Sequence, residues 1–240
     1  MRGNRSWDWL KKGALKKETE STIIAAQDQA ITTNNIRKVI YKENVSSLCR
    51  MCGKANETIA HITTECTKLA QVEYKIWRHD QVAKVIHWKL CEKWGFERAD
   101  TWYSHIPERV LENEDCKLLW DFPIQTDKKL SHNKPDITVV DKKAATTLLI
   151  DPSCPFDFRI SSKEKEKTDN YNELQFEIAK IWKQKKVIVI PVVIGALGTV
   201  STKFESWVKM IGVDCPVELL QKACLLGTAR IIRKVLSCPS

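Results

Sequence analysis

The chain has 240 residues, with 39 Lys and Arg against 30 Asp and Glu, a formal net charge of +9, and nine cysteines. That length buries one good core with room for a smaller module, and the positive excess suits a polyanionic partner without bearing on fold. An odd cysteine count in a long chain, with no hydrophobic leader behind Met1, argues against a disulfide framework and fits a reducing, intracellular compartment; the longest apolar run, 187–198, contains Pro191 and is shorter than the roughly 20 residues of a membrane span.

Residues 1–17 carry Arg2, Arg5, Lys11, Lys12, Lys16 and Lys17 against Asp8, with Trp7 and Trp9 among them. The segment is either an arm that touches phosphates or a frayed terminus that packs on a neighbouring domain absent from this chain. From Glu18 to about Val39, Ile23, Ala26, Ala30 and Ile31 recur at helical spacing, and Thr33, Asn34 and Asn35 break or kink the pattern. Residues 1–48 thus form a basic segment and helix.

The next stretch, 49–94, opens on Cys49-Arg50-Met51-Cys52, followed by His61 and Cys66. Two cysteines on a tight turn grip one side of a zinc ion, Gly53 lets the chain curl back, and His61 and Cys66 close the tetrahedron from a short helix. Four protein ligands leave no open position, so such a site is structural. The plainer alternative is ordinary buried cysteines beside a helix histidine. Small zinc modules of this kind often touch unstacked bases. Lys68 to Trp94 follows as one helix or two, with Val72, Ile76, His79, Ala83, Ile86 and Leu90 as the core-facing stripe. Arg78-His79-Asp80 interrupts it, either as a local ion pair or as a DNA-contacting cluster, and the residues alone favour the ion pair. His87, His105 and His132 show no partner spacing and read as ordinary histidines.

Gly95 to Pro107 is an aromatic-rich connection and the best domain boundary. Pro107 then opens a short helix through Glu114, with Glu112 and Glu114 on a solvated face. The second domain, 107–240, has strands around 118–124, 136–140, 146–151 and 187–194. One helix is expected at about 163–184 and another at about 216–236. That order makes an α/β domain with a sheet covered on both faces.

Asp136 begins one apolar run and Asp151 ends the next. Carboxylate oxygens are the ligands magnesium prefers, and a metal so held supplies hydroxide and stabilises charge on a phosphate in transfer. At 100° per residue, Lys163, Lys167 and Tyr171 share a helix face with Leu174, Ile178 and Ile181. That face packs on the sheet, so Lys167 and Tyr171 point toward it and Lys165 away. Lys167 then orients the attacking water or neutralises the transition state, and Tyr171 bonds a phosphate or the lysine. The alternative is that Lys163 and Lys167 only pair with neighbouring glutamates.

These residues, taken with 23–29, Val192-Val193-Ile194-Gly195-Ala196-Leu197-Gly198 and Leu225-Leu226-Gly227-Thr228-Ala229-Arg230, make the chain resemble the C-terminal part of non-LTR retrotransposon proteins that carry a restriction-like endonuclease. The resemblance covers nearly the whole chain. It implies a restriction-endonuclease-like (PD-(D/E)xK) core, a mixed sheet flanked by helices, behind a small helical zinc-knuckle module. It implies a magnesium- or manganese-dependent enzyme that nicks double-stranded DNA so that the freed end primes reverse transcription, in the nucleus or elsewhere inside the cell, with element RNA and a reverse transcriptase domain as further partners. By that resemblance Asp136 and Asp151 match the metal-binding aspartates and Lys167 the lysine, which lies on the helix; the position two after Asp151 is Ser153. It also implies nucleic-acid contacts at Arg78 and His79, beside Lys163. Two departures stand out. Relatives have an apolar residue where this chain has Pro152, which cannot donate to a sheet ladder and is expected to bend the strand just past the metal ligand. No YxDD or FxDD is present, so the chain does not polymerise. The alternative is a catalytically dead nucleic-acid-binding fragment of a decayed element.

Overall fold

A computed structural model describes residues 4–239, which leaves Arg2 of the basic terminus outside the described residues. Five strands form one open mixed sheet: β1 (Val110–Glu112), β2 (Cys116–Trp120), β3 (Ile137–Asp141), β4 (Thr146–Ser153) and β5 (Lys186–Val193), in that spatial order. The first three pairings are antiparallel and β4–β5 is parallel. Two of the three antiparallel links are tight turns, and β2 joins β3 through the longer segment 121–136. Asn113 makes one, its Oδ1 accepting from the amides of Asp115 and Cys116. Asp141 makes the other, accepting from the Ala144 amide. Parallel β4 and β5 need a crossover, supplied by α5 (Ile160–Asn170) and α6 (Asn172–Ile181).

The period-two alternation of the strands divides the core between two faces. Leu149 and Val189 pack with Ile124, Tyr171, Leu174 and Ile178 on the crossover side. Ile137, Val139, Ile150, Ile190 and Val192 pack on the other side against α4 (Asp80–Trp94), α7 (Phe204–Ile211) and α8 (Val217–Ser237). The chain is therefore α/β, an open mixed sheet flanked by helices.

Several expectations need correction. The helix expected from Pro107 to Glu114 is instead strand β1, because Val110 and Leu111 pair with Leu119 and Leu118; the ladder of a neighbouring strand outweighs a short run's weak helix propensity. Glu112 lies on this edge, paired with Lys117 and Lys142. The single helix expected at 163–184 is two, broken at Tyr171. Pro152 does not bend β4 away. It pairs in register with Val192, and beyond it the Ser153 carbonyl still accepts from the Ile194 amide at 3.0 Å. Helix α7 is an addition to the expected elements, although Phe204, Trp207, Val208 and Ile211 recur at helical spacing. Across the connection 95–107, Val82, Ile86 and Leu90 of α4 pack in one cluster with residues of the sheet.

The amino-terminal segment adheres to this body. Helices α1 (Asp8–Lys12), α2 (Lys17–Gln27) and α3 (Asn34–Val39) follow one another. Trp9 is fully buried with Leu15, Ile23, Leu225 and Ala229. Gln221 of α8 accepts from the Trp9 amide and donates to the carbonyls of Arg5, Ser6 and Gly198. The terminus thus packs on this chain's own helix.

Helix α8 also crosses the π-helical stretch Ala70–His79 at Gly227. A Cβ there would stand 2.5 Å from the Trp77 carbonyl oxygen and 2.6 Å from the Arg78 Cβ. Gly227→Ala is expected to cost about 2 kcal/mol net, because a backbone clash of this kind outweighs the roughly 1 kcal/mol that alanine gains in helix propensity. Thermal melting checks it: an unchanged or raised Tm would mean that these elements move apart without strain.

Candidate active site and metal cluster

The β3–β4 register pairs Ile137 with Ile150, so the next opposed pair is Asp136 and Asp151. Both share strand parity with the residues of the crossover face, and Asp151 follows Leu149 on it. Asp151 is 2% exposed. Helix α5 brings Lys167 to the same place, its Nζ 2.8 Å from Asp151 Oδ2. Tyr171, at the break after α5, donates its hydroxyl to the Lys134 carbonyl at 3.2 Å and packs against Leu149. Lys163 turns aside, 2.6 Å from Glu166.

From the opposite side the π-helical stretch delivers His79. Its Nε2 stands 3.1 Å from Asp136 Oδ2 and 3.1 Å from the Pro152 carbonyl oxygen, and its Nδ1 is 2.9 Å from Asp80. Lys75 Nζ reaches Asp80 at 3.0 Å and Asp136 Oδ1 at 3.8 Å. Arg78-His79-Asp80 is therefore more than a local ion pair: His79 joins the helix to the aspartate. Arg78 differs. It is 2% exposed, stacked on Tyr74, and donates to the Thr63 and Cys154 carbonyls. Its guanidinium braces the fold from the wall of the neighbouring cleft.

The charges are coupled. Burial opposes the His79 imidazolium, but the carboxylates of Asp136 and Asp80 on its two nitrogens outweigh burial and raise its pKa to about 10. Burial would raise Asp136 as well, and His79 and Lys75 hold it below the usual carboxylate range instead. Asp151 is pushed up by burial and by Asp136 beside it, with only Lys167 opposing. Asp151 is therefore the weaker acid of the two. Lys75 completes this arrangement without a sequence signal of its own, one helical turn before His79 on the same face. Beside the aspartates a cleft of about 380 Å³ is bordered by Tyr74, Lys75, His79, Arg159 and Lys163.

Cys49, Cys52, His61 and Cys66 come together, with ligand atoms all within 4.8 Å of one another. Cys49 and Cys66 sulfurs are 3.9 Å apart, and Cys52 Sγ is 3.3 Å from His61 Nε2. A tetrahedron with zinc bonds of about 2.3 Å to sulfur and 2.0–2.1 Å to nitrogen has edges of about 3.8 and 3.5 Å, so the cluster is compatible with a structural metal such as zinc. The knuckle turn closes through the Gly53 amide to the Cys49 carbonyl at 2.7 Å, with Gly53 at φ 64°. Residues five apart on an α-helix point about 140° apart. The His61–Glu65 segment is instead a π-turn, closed by the Cys66 amide on the His61 carbonyl at 2.9 Å. That wider turn returns Cys66 to the side of His61.

Among the described residues no helix is long and apolar enough to cross a membrane. Comparison with protein-family models finds no match to this chain, and comparison with curated proteins finds none either.

Proposed function

We propose that the chain is a metal-dependent DNA endonuclease module of the restriction-like class, as the resemblance to non-LTR retrotransposon proteins implies. The observation that carries this reading is the opposition of Asp136 and Asp151 on adjacent strands, with Lys167 against Asp151. The two opposed carboxylates offer oxygen donors of the kind that magnesium or manganese takes. When bound, such an ion supplies an activated water and charge stabilisation at the phosphate. Asp136 and Asp151 hold it in place, and Lys167 orients the nucleophile or neutralises the developing charge. His79 fixes Asp136, and Tyr171 seals the crossover side. Lys75, Arg159 and Lys163 along the neighbouring cleft supply cations for a double-stranded DNA backbone. Zinc at Cys49, Cys52, His61 and Cys66 holds the module that carries His79 up to the sheet. Element RNA, a separate reverse transcriptase domain and a nuclear site of action belong to the same reading.

A second reading has its own observation. His79 and Lys75 already neutralise Asp136, so the site is stable without an added cation, as in a nucleic-acid-binding fragment that no longer cuts. Nicking of supercoiled plasmid separates the two. With magnesium or manganese the protein is expected to nick, and Asp136→Ala, Asp151→Ala together to lower the rate by about a thousand-fold, the several kcal/mol that a bound metal contributes. Equal nicking by both proteins would remove these aspartates from the chemistry. No nicking, with salt-sensitive DNA binding kept in both, would establish the binding fragment.

A further inference from the structure

Helix α4 places His87 and Cys91 one turn apart on its buried face. The segment after it, without regular secondary structure, returns His105 to the same spot. His87 Nδ1 and His105 Nε2 are 2.8 Å apart, and Cys91 Sγ is 3.5 Å from His87 Nδ1. All three residues are buried, and their ligand atoms lie within 4.8 Å of one another. The sequence offers no partner spacing for His105. Only the fold of 95–107 over α4 joins it to His87 and Cys91.

We infer that His87, Cys91 and His105 form a second metal site, separate from the cysteine-rich knuckle, which takes a zinc-class divalent cation. Two imidazoles and one thiolate are the donors such ions prefer, and hard cations such as magnesium avoid them. Nitrogen and sulfur at tetrahedral zinc stand about 3.5 Å apart and two nitrogens about 3.3 Å. The Cys91–His87 gap already matches. The histidine pair needs to open by about half an ångström as the ion replaces the proton between them. Metal binding requires neutral imidazoles and a thiolate, so it releases a proton from Cys91.

The plainer alternative is a buried histidine pair that merely pins the loop. A histidine pair alone does not account for Cys91 Sγ standing on the same nitrogen, 3.5 Å from His87 Nδ1. Three protein ligands leave one coordination position to a water. With Trp120 edge-on to His87 at 5.5 Å, the site lies inside the core, so the ion's role is to fasten segment 95–107 to α4.

The test is cobalt and zinc stoichiometry on the full chain in a Cys52→Ala background, which weakens the knuckle. That variant, loaded and desalted, is expected to retain one equivalent of zinc and, with cobalt, a thiolate-to-cobalt absorption band. Adding Cys91→Ala is expected to abolish the band, and adding His105→Ala to weaken cobalt binding at least tenfold. His105 lies on a loop, so this second change tests the site without altering a helix; circular dichroism checks that each variant is folded. No band in folded Cys52→Ala protein, or a band that survives Cys91→Ala, overturns the inference whatever the plasmid assay gives.

Discussion

Stripping the metal from Cys49, Cys52, His61 and Cys66 is expected to lower the melting temperature of the chain by about 8–16 °C. The cluster sits inside a core: Cys49 and Cys66 pack with Ile59, Ile62 and Leu69, and with Ile231, Ile232 and Val235 of α8. Burial raises the Cys49 and Cys66 thiols, Cys66 to about 12. Without a cation they stay protonated and bond poorly, and three sulfurs and an imidazole are left crowded together. Zinc in thousandfold excess over its Kd stabilises the folded state by about 4 kcal/mol, and each kcal/mol shifts the Tm of a chain this size by roughly 2–4 °C. Melting with and without a strong chelator, beside a metal analysis, measures it. Full removal of zinc with no change in Tm would show that the knuckle turn stands on its hydrogen bonds alone.

Glu57→Ala is expected to destabilise the fold by about 3–5 kcal/mol, the usual cost of breaking a buried ion pair from one side. Glu57 is fully buried between the knuckle cysteines and His61. It accepts from the amides of Asn34 and Arg50, and its Oε1 is 2.7 Å from Arg50 Nη2, itself deeply buried. Arg50 goes on to the Asn34 side chain and the Cys238 carbonyl, so one carboxylate joins α3, the knuckle and the end of α8. Burial would raise the Glu57 carboxyl, and the bonds from Arg50 and the two amides outweigh it and lower its pKa. The sign of the pH dependence follows. A lowered folded pKa adds stability that is present above the unfolded value of about 4.3 and lost as pH falls through the folded one. Acid unfolding of the wild type is therefore expected to steepen below about pH 4, and Glu57→Ala to remove that component. Denaturant titration at pH 7 gives the magnitude; a loss under about 1 kcal/mol would mean that water reaches Arg50 in the variant. The two perturbations meet in one loop, so their combined effect is expected to be non-additive.

Much of this molecule follows from local pattern. Strands β3, β4 and β5 and helix α8 are legible because apolar runs bounded by turn residues admit few alternatives. Parity alone puts Asp136 and Asp151 on one face once the two strands pair, and the spacing of Cys49, Cys52, His61 and Cys66 names its own cluster. Lys167 is legible too, since one helical turn before Tyr171 on an amphipathic face leaves it only the sheet to meet. Helix α7 carries its signal in plain view.

Other features have no local cause. Val110 and Leu111 form a strand because β2 offers them a ladder, and a three-residue run does not encode its partner. The helix break at Tyr171 answers to packing on Leu149 and to the Lys134 carbonyl. His79 and Lys75 reach Asp136 across 57 and 61 residues of chain, and Arg78 turns inward although its charge suggests a surface. His87 and His105 become neighbours only because 95–107 folds back on α4. Sequence by itself determined the period of each element, the chemistry of the metal-type ligands and the side of the sheet on which each carboxylate lies. Tertiary structure decided which distant cation meets which carboxylate, because covalent spacing acts over a turn or two, whereas ion pairs and ligand clusters depend on where whole elements pack.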